Sequence, residues 1–131
     1  MIITTELSLL AWTMVLTLVQ ILVTASFRTR ETGLAYNAGA RDSGGPPIGV
    51  IAGRMQRAQA NLFETLPLFA TAVLIAHVAG REGVLTLAGC WLYLIGRILY
   101  VPLYALGVPF IRSLVWVASV IGLVMVFAAI L

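Results

Sequence analysis

An all-α integral membrane protein built as a bundle of four transmembrane helices is the fold class this sequence predicts, on three observations. Of its 131 residues, 61% are hydrophobic and 10% charged, and the mean hydropathy is +1.05. A soluble domain of this length has too little interior to hide so much apolar surface. Four long apolar segments, 7–27, 58–79, 84–104 and 114–131, each reach or approach the roughly 20 residues that cross a hydrocarbon core. No period-two alternation marks the strands of a β-barrel. One domain over 1–131 follows, with a long loop at 29–53.

The net charge is +3, and all eight basic residues are arginines. No basic domain stands outside the apolar segments, so nucleic acid is not implied as a partner. The first connection carries Arg28, Arg30, Arg41 and Arg54, with Arg57 at the start of the next helix. The second carries Arg81 beside Glu82, and the third Arg112. Positive charge stays in the cytoplasm, which predicts cytoplasmic first and third connections and both termini on the opposite side. Cys90 is alone and mid-span, so no intrachain disulfide is expected. Glu6 stands where a signal peptide would carry basic residues, so the first helix reads as retained.

In the first helix, Thr13, Thr17, Gln20, Thr24 and Arg28 fall at spacings of 4, 3, 4 and 4, one helical face. Such a stripe belongs against neighbouring helices. Arg28 ends it, either snorkelling to lipid phosphates or pointing into a polar pocket. The loop that follows is rich in turn formers, including the run Ser43-Gly44-Gly45-Pro46-Pro47. It is either a binding loop or a plain linker.

The second helix carries Arg54, Arg57, Asn61 and Glu64 at spacings of 3, 4 and 3, again one stripe, entering an apolar span. Pro67 removes the helical donor from the carbonyl of Phe63. His77 has no second histidine or Cys/His spacing beside it, so no metal site is expected. In the third helix Tyr93, Arg97, Tyr100 and Tyr104 share a face. The fourth shows a small-residue seam of Val115, Ser119 and Gly122 and no chemistry of its own.

Depth suggests the pairings. At 1.5 Å of rise per residue, Glu64 lies roughly 22 Å, and Arg97 and Gln20 roughly 20 Å, from the outer ends of their helices. A buried charge is expensive unless paired, so a Glu64–Arg97 pair is expected. Asn61, Tyr100 and Thr24 form the next layer toward the cytoplasm, followed by Arg28, Arg57 and Tyr104, with Arg112 beyond. The expected shape is a polar funnel with arginines at its mouth.

These residues resemble the MAPEG family, membrane-associated proteins in eicosanoid and glutathione metabolism, in its short bacterial form. The resemblance is carried by Gly45-Pro-Pro47, Arg57-Ala-Gln-Ala-Asn61-Leu-Phe-Glu64, Pro67-Leu-Phe69, and Leu92-Tyr-Leu-Ile-Gly-Arg97-Ile-Leu-Tyr100 with Tyr104. It implies a homotrimer in a bacterial inner membrane, with glutathione as co-substrate between neighbouring subunits near the cytoplasmic side. By the resemblance, Arg57, Asn61, Glu64, Tyr100 and Tyr104 contact glutathione, and Arg97 belongs to the same site. An arginine ending the first helix also belongs there, Arg28 or Arg30, and helical phase favours Arg28. Some members carry a tyrosine directly after the motif glutamate, where this chain has Thr65, and a thiol-activating arginine in the third connection. Arg112 is the matching candidate, with Arg28 the alternative.

The implied function is a glutathione transferase or peroxidase acting on lipophilic electrophiles or hydroperoxides that arrive through membrane lipid. Arginine forks bind carboxylates bidentately, and a cation beside a thiol lowers its pKa. Glu64 is available for the ligand's ammonium if Arg97 does not take it. A non-catalytic accessory membrane subunit is the alternative. A small proton-coupled multidrug antiporter suits four helices and Glu64, but arginines around that carboxylate would hold it ionised.

Overall fold

The computed structural model describes residues 2–40 and 48–131. Gly45, Pro46 and Pro47, which carry part of the family resemblance, and Arg41 lie outside the described residues. The described chain forms five helices: α1 (Thr5–Thr32), α2 (Leu34–Ala38), α3 (Val50–Val78), α4 (Val84–Ala105) and α5 (Pro109–Ile130). All but α2 are long and apolar enough to cross a membrane. The expected four-helix membrane bundle is thus present, with a short fifth helix folded onto the end of α1. There the Asn37 side chain donates to Thr29 Oγ1 at 2.9 Å and accepts from Thr32 Oγ1 at 2.6 Å.

The expected helix ends need correction where helices leave the apolar windows. α1 continues to Thr32, so Arg28 and Arg30 are helical, and α3 starts at Val50 rather than 58. Hydropathy windows see the apolar part of a helix, whereas backbone hydrogen bonding continues through Met55, Gln56 and Arg57, which are good helix formers. α3 also runs through Pro67 without ending. The amide of its N-cap residue, Gly49, is met by the Glu31 carboxylate, which ties the end of α1 to the start of α3.

α4 and α5 form the most extensive pairing in the bundle. Gly89 and Gly122 face each other, so that a Cβ on either would stand 2.6 Å from the other's carbonyl oxygen. Gly96 packs on Ser119, whose Cβ would be 3.0 Å from a Cβ at Gly96. The expected seam on the last helix is therefore used, and its counterpart is the glycine pair of α4. Backbones this close gain dispersion contacts that bulky side chains would prevent.

The apolar core, with Leu9, Leu10, Phe69, Val73, Cys90 and Val126, fills the half of the bundle away from most of the arginines. At that end Glu82 bridges two helices: Oε2 accepts from the Thr4 hydroxyl at 2.7 Å and Oε1 lies 3.1 Å from His77 Nδ1. Thr4 also caps α1, accepting from Leu7 N. The polar stripe of α1 faces inward, as its spacing predicts: Thr13, Thr17, Gln20 and Thr24 are all buried. Thr13 and Thr17 satisfy themselves on their own helix, donating to the carbonyls of Leu9 and Thr13 at 2.8 Å.

Candidate functional site

The arginine end of α3 and α4 gathers most of the candidate residues. Arg97, one turn inside α4 from Tyr100, is the largest fully buried side chain, 1% exposed. Its Nη1 donates to Asn61 Oδ1 at 2.7 Å, and its guanidinium lies 4.4 Å from the centre of the Tyr100 ring. Tyr100 meets Tyr104 edge to face at 5.5 Å. Tyr104 in turn stands between two cations. Arg57 Nε donates to its hydroxyl at 3.1 Å, and the Arg112 guanidinium lies 4.6 Å from its ring centre. Two touching rings thus lie between cations, with Arg97 against Tyr100 at the inner end and Arg57 and Arg112 against Tyr104 at the outer end.

Of these groups Asn61, Tyr100, Tyr104 and Arg112 line a cavity of about 400 Å³, together with Ser113, Trp116 and Val117. Its wall is rich in donors. Arg97 can only donate, so Asn61 must offer it Oδ1 and keep its NH₂ free. Because Arg57 occupies the Tyr104 oxygen as a donor, the tyrosine proton is left for another acceptor. Trp116 Nε1, Arg97 Nε and Arg97 Nη2 are buried with no partner. An unmet buried donor costs about 1–3 kcal/mol, so the arrangement is suited to a ligand rich in acceptor oxygens.

Two expectations are corrected. Glu64 and Arg97 do not form an ion pair; the one salt bridge among the described residues joins His77 and Glu82. Glu64 is exposed on α3, about 140° around the helix from the centre of the buried face defined by Ala58, Leu62 and Phe69. Asn61, 60° nearer that face by the same geometry, takes the arginine instead. The last helix is not without chemistry either. It begins at Pro109, so Arg112 is in its first turns rather than in a connection, and Ser113 and Trp116 line the same cavity. Trp116 lies four residues beyond Arg112, a spacing that would have placed it on the same face. Tyr93, on the same face of α4 as Arg97 and Tyr100, belongs to the core. It stacks on Phe69 at 4.0 Å, and its hydroxyl is 2.8 Å from Thr65 Oγ1.

Arg28 is not brought to this cavity. It lines another, of about 410 Å³, between α1 and α3, with Thr24, Gln56, Gln59 and Phe63. Arg28 Nε, Thr24 Oγ1 and Gln59 Oε1 are buried there without partners. Gln56 and Gln59 were not singled out by the stripe argument because they lie on the other side of α3. Arg28 therefore points into a polar pocket, one of the two arrangements its sequence position allowed.

A multi-pass membrane bundle whose polar, arginine-rich end encloses a donor-lined cavity is the class of protein this fold and site define. The chain matches the MAPEG family over residues 7–131 and belongs to it. Comparison with curated proteins and with solved structures returns no match.

Proposed function

We propose that the protein binds glutathione at the cavity between α3, α4 and α5 and acts as a glutathione transferase or peroxidase on lipophilic electrophiles or hydroperoxides. The observation that carries this reading is the run Asn61–Arg97–Tyr100–Tyr104–Arg57/Arg112 beside unpartnered donors. Glutathione is a peptide with two carboxylates and a thiol. Arg57 is assigned to a carboxylate and the free Asn61 amide to a peptide carbonyl. Arg112 is assigned to the sulfur. It stands in the first turns of α5, where the helix dipole already favours negative charge, so a thiolate there meets both a guanidinium and a helix N-terminus. The thiolate would then attack an electrophile supplied by the bilayer.

The functional unit in this reading is a homotrimer in a bacterial inner membrane, with the arginine end toward the cytoplasm. Two observations support assembly. Arg57 and Glu64 are exposed on one face of a single protomer, and an exposed carboxylate within a membrane span is costly unless a partner covers it. Arg28 belongs to a cavity on a different face of α3 from Asn61, so a site that uses both draws them from neighbouring copies.

Titration of the detergent-purified protein with glutathione, followed by calorimetry and by ultraviolet thiolate absorbance, tests the reading. Wild type is expected to bind glutathione and to form thiolate at neutral pH. Arg112→Ala is expected to raise the bound thiol's pKa toward about 8.5 and slow conjugation, with affinity nearly intact. Arg57→Ala is expected to weaken affinity. Binding with neither thiolate nor turnover would leave the accessory-subunit alternative in place of the enzyme. Full conjugation by Arg112→Ala, with loss in Arg28→Ala, would transfer the activating role to Arg28.

A further inference from the structure

The turn between α4 and α5 is fixed by an arginine that none of the assignments above uses. α4 ends in a left-handed glycine, Gly107, with φ +73°. Around it the amide of Leu106 bonds to the Pro102 carbonyl, that of Gly107 to Tyr104 and that of Val108 to Leu103. This is the Schellman arrangement, and it satisfies three of the last four carbonyls of the helix. The fourth, that of Ala105, accepts from Arg54 Nη1 at 3.3 Å. The same guanidinium lies against Gly107, where a Cβ would stand 2.8 Å from Arg54 Cζ. Arg54 therefore closes the α4 C-terminus by hydrogen bond, by contact with the glycine, and by placing a cation at the negative end of the helix dipole.

The consequence reaches the cavity because the turn is short. Tyr104 immediately precedes it and Arg112 follows in the first turns of α5, so the position of the turn sets the 4.6 Å contact between the Arg112 guanidinium and the Tyr104 ring. One turn further along α3, Arg57 holds the Tyr104 hydroxyl. We propose that Arg54 is a positioning residue of the candidate site: it seats the α4–α5 turn on α3 and thereby holds Arg112 over Tyr104 in register with Arg57. Its effect on chemistry rests on the function proposed above, whereas its effect on the turn does not.

The test uses the full-length protein in detergent, with two readouts. Amide hydrogen exchange at Gly107 and Val108, without ligand, reports the seating of the turn. The pKa of glutathione's thiol in the complex, with the split between kcat and KM, reports the site. Arg54→Met is expected to speed exchange at both amides about tenfold, the loss expected for one hydrogen bond. It should also raise the bound thiol's pKa and lower kcat while leaving KM for glutathione little changed. Gly107→Asn retains a residue that tolerates the left-handed conformation, but its Cβ displaces the guanidinium, so it should reproduce both effects with Arg54 still present. Arg54→Lys keeps the charge and loses the planar fork. Lysine restoring both readouts together, or neither, agrees with positioning. Lysine restoring the thiol pKa without protecting the turn would mean that charge alone acts through space, and the proposal falls. It falls equally if Arg54→Met leaves exchange unchanged. Should wild type form no thiolate, the functional reading fails by itself, and the exchange rates still decide whether Arg54 seats the turn.

Discussion

Asn61 shows how one buried charge can set the orientation of a neutral neighbour. Arg97 offers donors only, so the amide must turn its oxygen inward, and its NH₂ is thereby directed to the cavity. Losing that oxygen strands a fully buried guanidinium. Asn61→Leu is expected to destabilise the ligand-free protein by about 1.5–3 kcal/mol, the range for a hydrogen bond to a charged group. Asn61→Asp keeps an acceptor and should retain most of the stability. Glu64→Gln should leave the ligand-free unfolding midpoint of the dissociated protomer where it is and show an effect only when glutathione or a neighbouring copy is present. Chemical denaturation in detergent that dissociates the assembly distinguishes the three, and a large loss in Glu64→Gln under those conditions would restore the ion pair that sequence depth suggested. The level of these residues was legible because rise per residue is fixed. Which of Asn61 and Glu64 faces Arg97 was not, since rotation about the helix depends on how Ala58, Leu62 and Phe69 are buried against neighbours that spacing does not specify.

At the scale of the elements, helix contacts follow from side-chain size, and helix ends from chemistry that hydropathy does not register. Gly122 has Gly89 O, Tyr93 N and Leu92 Cβ within 2.6–3.2 Å of the position a Cβ would take. Two of these are backbone atoms, which cannot rotate aside. Gly122→Ala is expected to destabilise the α4–α5 pair by about 1–3 kcal/mol, the range for overpacking. A wild-type midpoint for Gly122→Ala would show that the two helices can part at no cost. The seam of Ser119 and Gly122 was visible in the sequence as small residues on one face. Its mate was not, because Gly89 and Gly96 are seven residues apart with Tyr93 between them, and a single helix does not reveal which other helix it meets. The starts of α3 and α5 were missed for a different reason. Both begin in segments that an apolar window excludes, yet Pro109 at the first position of α5 is a favoured helix opening.

On the scale of the whole molecule, the protomer presents two half-furnished cavities on different faces of α3. One contains Asn61, Tyr104 and Arg112, the other Arg28 and Gln59. Each holds buried polar atoms without partners, a cost that a neighbouring subunit and a shared ligand would relieve together. The proposed trimer therefore makes a prediction that a self-sufficient protomer cannot. Arg28→Ala and Arg112→Ala should each impair conjugation when expressed alone. Co-expressed in equal amounts, they should recover activity, because an Arg112→Ala subunit supplies Arg28 to a neighbour that still has Arg112. Random mixing in a cyclic trimer gives about a quarter of the interfaces both arginines, so the recovered rate should approach a quarter of wild type. A double mutant co-expressed with wild type in the same ratio gives the same intact fraction if both residues come from different subunits. It gives one half if they act within one chain. Separately tagged Arg28→Ala and Arg112→Ala subunits, purified through both tags in succession, leave only mixed assemblies, in which one interface of three carries both arginines and the expected rate rises to about a third of wild type. Mixed Arg28→Ala and Arg112→Ala assemblies with no activity above either parent would place both arginines in the same protomer, and the shared site would have to be abandoned even if the protein remains a trimer.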